Sequence, residues 1–343
     1  MAKVSVVIPC YNVETLIDRC LQSLQEQTIG IDNLEVICVD DCSTDNTFSH
    51  LLEWEKKYPD RISLIKLEQN GRQGRARNIG LSYATADWIC FVDSDDWVEP
   101  SYVEKLYNRA VTDNYDIVDC KVVRDFSNNL TYFEGEKRTG NPDADLLIDT
   151  VDKRKVCIVN PPWSLCAYGK IIRKSFLSEN NIYFPENLAY EDGYWGSILT
   201  MCVKKVFIVE EYLYHYYVNN ESTVLKGGEH HWDFLTVQTI LWKEWEERGY
   251  LCVYFDELVM DHIYTAYLQG IKTAILRFER PNYSYYLLIR ELVSGRIGDY
   301  RQNKYIKSGI LSELYELMMT ALDVCLSKAD FYEFSENIKK IGI

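Results

Sequence analysis

Short runs of apolar, mostly β-branched residues alternate with stretches of helical periodicity through the first hundred positions. Val4 to Ile8 is the first such run. From Glu14 to Gln27, Leu16, Ile17, Cys20, Leu21 and Leu24 recur at the spacing of one helix face. Leu34 to Val39 predicts a second strand, Asp45 to Lys57 a second helix, Ile62 to Lys66 a third strand, Gly74 to Ala84 a third helix, and Trp88 to Val92 a strand with no polar residue in it. Strands that are apolar at every position are covered on both faces. The pattern therefore predicts an α/β fold with a mostly parallel sheet. Ligands of such sheets sit beyond the carboxyl ends of the strands, and the chemistry is expected there.

From about residue 115 the alternation loosens, and the polar stretch from Asp125 to Asp145 reads as loop or edge hairpin. Beyond His230 the periodicity becomes helical throughout, over Phe234 to Glu247, Leu251 to Phe278, Tyr283 to Val293 and Ile310 to Leu326. A C-terminal helical domain over 229–343 is expected, attached to an α/β domain over 1–228. No repeat of fixed period runs through the chain.

Composition narrows this little further. Of the 343 residues, 47% are hydrophobic and 26% charged, which is globular composition. Charge is more selective: 37 Lys and Arg stand against 52 Asp and Glu, a net charge of −15 that disfavours nucleic acid as a partner. Eleven Cys, with no CxxC pair, read as reduced core thiols and place the protein in the cytoplasm. Neither a signal-peptide stretch nor an apolar segment of membrane-spanning length is present.

Polar clusters follow three of the strands: Pro9-Cys10-Tyr11-Asn12, Asp40-Asp41-Cys42-Ser43-Thr44-Asp45 and Asp93-Ser94-Asp95-Asp96. Each alone is what a solvated turn or helix cap carries. Three at one end of one sheet point further, to a ligand site. Carboxylates as dense as Asp93 to Asp96 repel one another, and a hard divalent cation relieves that repulsion. Mg²⁺ and Mn²⁺ take one or two carboxylates plus substrate phosphates, so a diphosphate-linked substrate fits. Between these clusters lies Asn70-Gly71-Arg72-Gln73-Gly74-Arg75-Ala76-Arg77-Asn78, with glycines that permit close backbone approach and arginines able to meet a diphosphate. A dinucleotide-binding GxGxxG and a P-loop are both absent after the first strand.

The runs VSVVIPCYNVE (Val4 to Glu14), VICVDDCSTDNT (Val36 to Thr47), NGRQGRARNIGL (Asn70 to Leu81) and ICFVDSDDWVEP (Ile89 to Pro100), in this order, resemble the nucleotide-sugar-binding half of a family 2 glycosyltransferase of the bacterial glycan-assembly type, with its GT-A fold. The resemblance is close over 1–110 and continues more loosely to about 225, through the Pro185 to Gly193 and Tyr212 to Tyr217 segments, so that 111–228 becomes the acceptor half. It implies that Pro9, Tyr11 and Glu14 line the base and ribose site, that Asp41 bonds the base, and that Asn12, Asn70, Arg77 and Ser94 belong to the donor site, Arg77 facing the diphosphate or the base-side wall. Asp93 is expected near ribose and metal, and Asp95 as ligand of a Mn²⁺ or Mg²⁺ ion. Asp192 is expected as general base with Glu191 beside it, although two acids ahead of a helix also serve as ordinary caps. His215 is a further candidate metal or phosphate contact. Cys42 stands where the family commonly has Gly, and Tyr217 where it often has Arg.

The resemblance thus implies a metal-dependent, inverting hexosyltransferase that moves a sugar from a nucleoside-diphosphate donor, a UDP-sugar, to a hydroxyl of a glycan or lipid-linked saccharide. The alternative is a noncatalytic carbohydrate-binding or scaffolding partner of the same fold, against which the retained acids argue. Residues Lys272 to Lys307 hold eight basic residues against three acidic ones, interleaved with Tyr283, Tyr285, Tyr286 and Tyr300. They read as a solvated helix face or as a peripheral contact with anionic membrane at its inner face. The C-terminal helices are also a candidate homo-oligomer contact.

Overall fold

The computed structural model describes residues 2–218 and 227–341. The chain forms two compact units, Met1–Arg154 with Pro161–Asn219, and Lys155–Asn160 with Asn220–Ile343.

In the first unit β1 (Val4–Cys10) is buried at all seven positions, as a central parallel strand must be. After α1 (Ile17–Gln25), β2 (Leu34–Asp40) pairs parallel with β1. After α2 (Thr47–Lys57), β3 (Ile62–Lys66) pairs parallel with β2. Then α3 (Arg72–Tyr83) leads into β4 (Trp88–Phe91), on the other side of β1. A Cβ on Gly80 would stand 2.4 Å from Val7 Cγ1, so glycine lets α3 lie directly on β1. The rest of the unit is β5 (Trp97–Val98), α4 (Tyr102–Ala110), β6 (Ile117–Asp125), β7 (Ala144–Leu147), α5 (Val151–Val159), whose residues divide between the two units, β8 (Lys170–Arg173), α6 (Lys174–Glu179), α7 (Glu191–Cys202) and β9 (Lys205–Tyr217).

The sheet order is β3-β2-β1-β4-β8-β6-β9-β5, with β7 also on β9. Its parallel half is β3-β2-β1-β4. From β8 onward antiparallel pairs enter, apart from the parallel pair of β6 with β9. The polar stretch 125–145 is thus strand at both ends, and an isolated bridge from Arg138 to Glu211 lies between them. Carboxyl ends of β1, β2 and β4 lie side by side, which brings the three polar clusters together.

The second unit contains α8 (Asp233–Glu247), α9 (Leu251–His262), α10 (Gln269–Leu276), α11 (Tyr283–Ile297), α12 (Lys304–Lys307), α13 (Glu313–Asp323) and α14 (Lys328–Ile341). The single helix expected over Leu251 to Phe278 is interrupted: Tyr254 leaves helical geometry, and Ile263–Leu268 is a π-helical turn between α9 and α10. Apolar residues continue on both sides, so periodicity alone did not mark the break. The tyrosines of the basic run are spent inside this unit. Tyr285 and Tyr286 are fully buried, Tyr286 Oη donates to Ala321 O at 2.8 Å, and Tyr300 Oη donates to Asp323 Oδ1 at 2.8 Å. Arg301 pairs with Asp323 and Lys304 with Glu257. Any lipid contact of this run would rest on the remaining cations, without the rings. No helix of the described residues is long and apolar enough to cross a membrane.

Candidate active site

The loop after β1 is latched to the loop after β2. Asn12 takes a left-handed backbone (φ 51°), donates its N–H to Ser43 Oγ at 3.1 Å, and accepts the Thr44 N–H on Oδ1 at 2.8 Å. Glu14 accepts the Asn46 N–H at 2.8 Å and donates its own N–H to Asp45 Oδ2 at 3.2 Å. The second loop is latched in turn to the start of α3, because Asp41 Oδ1 accepts the Gly71 N–H at 2.8 Å and the Asp41 carbonyl accepts from Asn70 Nδ2 at 3.1 Å. Burial pushes the Asp41 carboxyl up, and the Gly71 and Arg72 amides partly offset this. Asn12, Glu14, Asp41 and Asn70 therefore hold the loops in place. Tyr11, 46% exposed, stands out from them, while Pro9 is buried within β1 opposite Val39.

Arg77 of α3 organises the acids. Its Nη2 donates to Asp93 Oδ1 at 2.7 Å and its Nη1 to Glu191 Oε1 at 2.6 Å, with the arginine side chain only 3% exposed. Burial disfavours the charged guanidinium, but Asp93 and Glu191 outweigh that and strengthen its hold on the proton. Arg77 thus faces the acids, not a free diphosphate surface. Burial and Asp192 push the Glu191 carboxyl up, against the pull of Arg77. Asp192, in the first turn of α7, is likewise pushed up by burial and by Asp93 against Arg77, and its Oδ1 accepts the Gly193 N–H at 2.9 Å. A base held above the usual carboxylate range is better matched to accepting a proton near neutral pH.

Gly74 explains how α3 and α7 come so close. A Cβ there would stand 2.3 Å from Pro185 O and 3.2 Å from Glu191 Cγ. The close approach that the sequence led us to expect at a diphosphate is made, at this glycine, to the chain's own backbone.

At the end of β4, Ser94 is buried, and Asp95 is half-buried and pushed up to about 6 by burial and by Asp93. The charge of Asp93 raises Asp95, and a divalent cation would relieve that repulsion, so the hard oxygen donors of this pair fit one. Among the described residues no three His, Cys, Asp or Glu gather as a metal cage. His215 is not brought to this pair: its Nε2 lies 2.7 Å from Glu99 Oε1, its Nδ1 lies 3.1 Å from Asp125 Oδ2, and its ring stacks on Trp97 at 4.8 Å. Both nitrogens are used, so His215 braces β9 against its neighbours.

Three supporting residues were not singled out from the sequence. Asp96, fully buried, accepts the Tyr214 hydroxyl at 2.7 Å and the Tyr217 N–H at 2.8 Å. Tyr214 Oη also accepts the Asp93 N–H at 3.1 Å and so holds the turn that carries both acids. Arg19 donates to the Asp95 carbonyl and lies over the Trp97 ring at 4.1 Å. Periodicity gave no signal for Arg19, which lies outside the face of Leu16, Ile17, Cys20, Leu21 and Leu24 and is buried only by its tertiary neighbours.

With this geometry in hand, the comparison with known proteins is specific. The profile of Glycosyl transferase family 2 matches residues 5–179, half of the chain. The chain belongs to that family. Among relatives of this family 2 chain, a poly(ribitol-phosphate) beta-glucosyltransferase of Bacillus spizizenii is 33% identical over 229 residues, 66% of this chain and 33% of the relative. The putative glycosyltransferase EpsH of Bacillus subtilis is 31% identical over 64% of this chain and 62% of its own. The chain therefore spans a third to three-fifths of these relatives' lengths. The crystal structure of S. aureus TarS 1-349 superposes with a TM-score of 0.64 at 21% identity, over 99% of this chain and 92% of that one, so the two share a fold. The GT-A fold with a C-terminal helical region stands.

Proposed function

We propose that the chain transfers a sugar from a nucleoside-diphosphate donor to a hydroxyl of a glycan or lipid-linked saccharide, with inversion at the anomeric carbon. The observation that carries this is the acid cluster between the end of β4 and the first turn of α7, where Arg77 ties Asp93 to Glu191 beside Asp192. Asp192 takes the acceptor proton as the hydroxyl attacks, and Glu191, fixed by Arg77, sets where α7 and Asp192 begin. No second acid is needed as a covalent nucleophile. Asp93 and Asp95 would hold Mn²⁺ or Mg²⁺, whose charge offsets that of the departing diphosphate. Tyr11, exposed beside the latched loops, would meet the base. A UDP-sugar is the donor we favour, since S. aureus TarS, which shares the fold, has been crystallised with UDP-GlcNAc.

The test is a panel of UDP-, GDP- and dTDP-sugars with Mn²⁺, read by thermal stabilisation and donor hydrolysis. One nucleotide series is expected to raise the melting temperature and to be hydrolysed. A panel in which none does either would end the reading.

A further inference from the structure

A cavity of about 380 Å³ opens in the first unit beside the acid cluster, within the size range of small-molecule sites. Its wall includes the Tyr168 and Tyr216 rings, 5.8 Å apart and 24° from parallel. Tyr168 also stacks at 4.8 Å on Tyr214, whose hydroxyl bonds Asp93 and Asp96. The cavity is therefore one ring away from the turn that carries the acids. Electrostatics agree: the Tyr168 phenol is pushed up by burial, by Cys166 and by Asp93 and Asp96, and the Cys166 thiol by burial and by Asp192.

The charge of the wall is selective. Register between β6 and β9 shifts on both sides of Lys121, with Cys120 opposite Val209, Lys121 opposite Tyr212 and Val122 opposite Tyr214. Such bulges re-aim side chains, and here Lys121 meets Glu210 at 2.9 Å and is neutralised. Asp119 is neutralised by Lys170 at 3.1 Å. Arg124, opposite Tyr216 in the β6–β9 register, is exposed and enters no ion pair among the described residues. The wall thus pairs two aromatic rings with one guanidinium that no acid among the described residues compensates, in a protein of net charge −15.

Resting on the transferase reading above, we propose that this cavity takes an acceptor that carries phosphate, with Arg124 meeting the phosphate and the Tyr168 and Tyr216 rings meeting the adjoining polyol or sugar. Guanidinium matches phosphate in bidentate geometry, and the rings supply flat apolar surface with a polar edge. The phosphate has two possible sources: the repeating backbone of a polyol-phosphate chain, or the diphosphate of a lipid carrier.

The test is titration of the full chain, with UDP and Mn²⁺ present, by a ribitol-phosphate tetramer, a short-chain prenyl-diphosphate disaccharide and maltotetraose. At least one phosphate probe is expected to bind about tenfold or more tightly than maltotetraose, and to weaken as salt rises. Arg124→Gln should weaken that probe about tenfold or more, and Arg124→Lys should recover part of the loss. UDP affinity should be unchanged in both variants. Whichever phosphate probe responds identifies the source. The proposal is overturned if wild type binds UDP but neither phosphate probe, or if Arg124→Gln leaves their affinity unchanged. It is equally overturned if UDP weakens by the same factor, since Arg124 would then serve the donor. Failure of every nucleotide to bind would instead strike the transferase reading, and the same titration without nucleotide still reads the cavity.

Discussion

Arg77 Nη1 and Glu191 Oε1 meet at 2.6 Å across 114 residues of chain. Because the other arm of the same guanidinium holds Asp93 at 2.7 Å, one side chain sets the distance between the turn after β4 and the first turn of α7. These are the two segments that carry Asp95 and Asp192. The cluster is buried, so its geometry depends on every charge having its partner.

Replacing Arg77 by Met leaves two buried carboxylates without their cation, which costs about 3–5 kcal/mol by the usual measure of a broken buried pair. Urea unfolding of wild type and variant reads this directly. Arg77→Lys keeps the charge but cannot span both acids, so it should retain part of the stability and little of the transfer rate. A loss under about 1 kcal/mol in Arg77→Met, below the cost of an unpaired buried charge, would show that the pair does not organise the site.

Asp192→Asn is expected to keep UDP binding close to wild type and to lower transfer by about 10²–10⁴-fold, the usual contribution of a positioned base. Since burial and Asp93 raise the Asp192 pKa against Arg77, the acid limb of the wild-type pH–rate profile should lie above the ordinary Asp range. Activity falls as pH drops through that raised value. Transfer at the wild-type rate in the Asn variant would place the base elsewhere.

Burial, with Asp93 beside it, pushes the Asp95 carboxyl up to about 6 from 3.8 for an ordinary Asp. An acid whose folded pKa is raised contributes stability that is fully present below the unfolded value and lost as pH rises through the folded one. Relative to Asp95→Asn, wild type should therefore lose melting temperature between about pH 4 and pH 7. UDP with Mn²⁺ should restore it at the upper end, and Asp95→Ala should abolish the metal enhancement of UDP binding. Equal enhancement in wild type and Asp95→Ala would remove Asp95 as ligand.

Gly74→Ala places a methyl 2.3 Å from Pro185 O, a backbone atom that cannot step aside alone. We expect about 1–3 kcal/mol of destabilisation, together with lower transfer, because the strain falls on the segment leading to Glu191. Gly71→Ala meets chiefly the movable Arg75 side chain and should cost less. Comparison of the two by thermal unfolding and kcat tests whether α3 must lie against residues 184–185. Equal, small effects would mean the segment is free to shift.

Parallel strands β1, β2 and β4 were legible because burial on both faces writes itself as a near-continuous apolar run, while the edge strand β3, buried only at Ile62, was marked by its β-branched residues. The clusters at Asn12, Asp41 and Asp93 were visible because the apolar runs end there. Their use was not. Asn12 bonds Thr44, Glu14 bonds Asn46, and Asp41 bonds Gly71 and Asn70, each across loops, and that depends on how the three strand ends lie side by side. His215 shows the same limit: Glu99 and Asp125, which take its two nitrogens, approach from other segments of the sheet.

By itself, then, the sequence determined the α/β alternation, the helical C-terminal region and the acid-rich strand ends, because local burial and turn chemistry leave a periodic record along the chain. Only the tertiary structure decided that Arg77 faces Asp93 and Glu191, that Gly74 clears space for Pro185, and that Tyr285, Tyr286 and Tyr300 of the basic run lie in a core. Each of these depends on a neighbour far away in sequence, and a side chain's charge or size does not say which distant backbone or carboxylate the fold will bring against it.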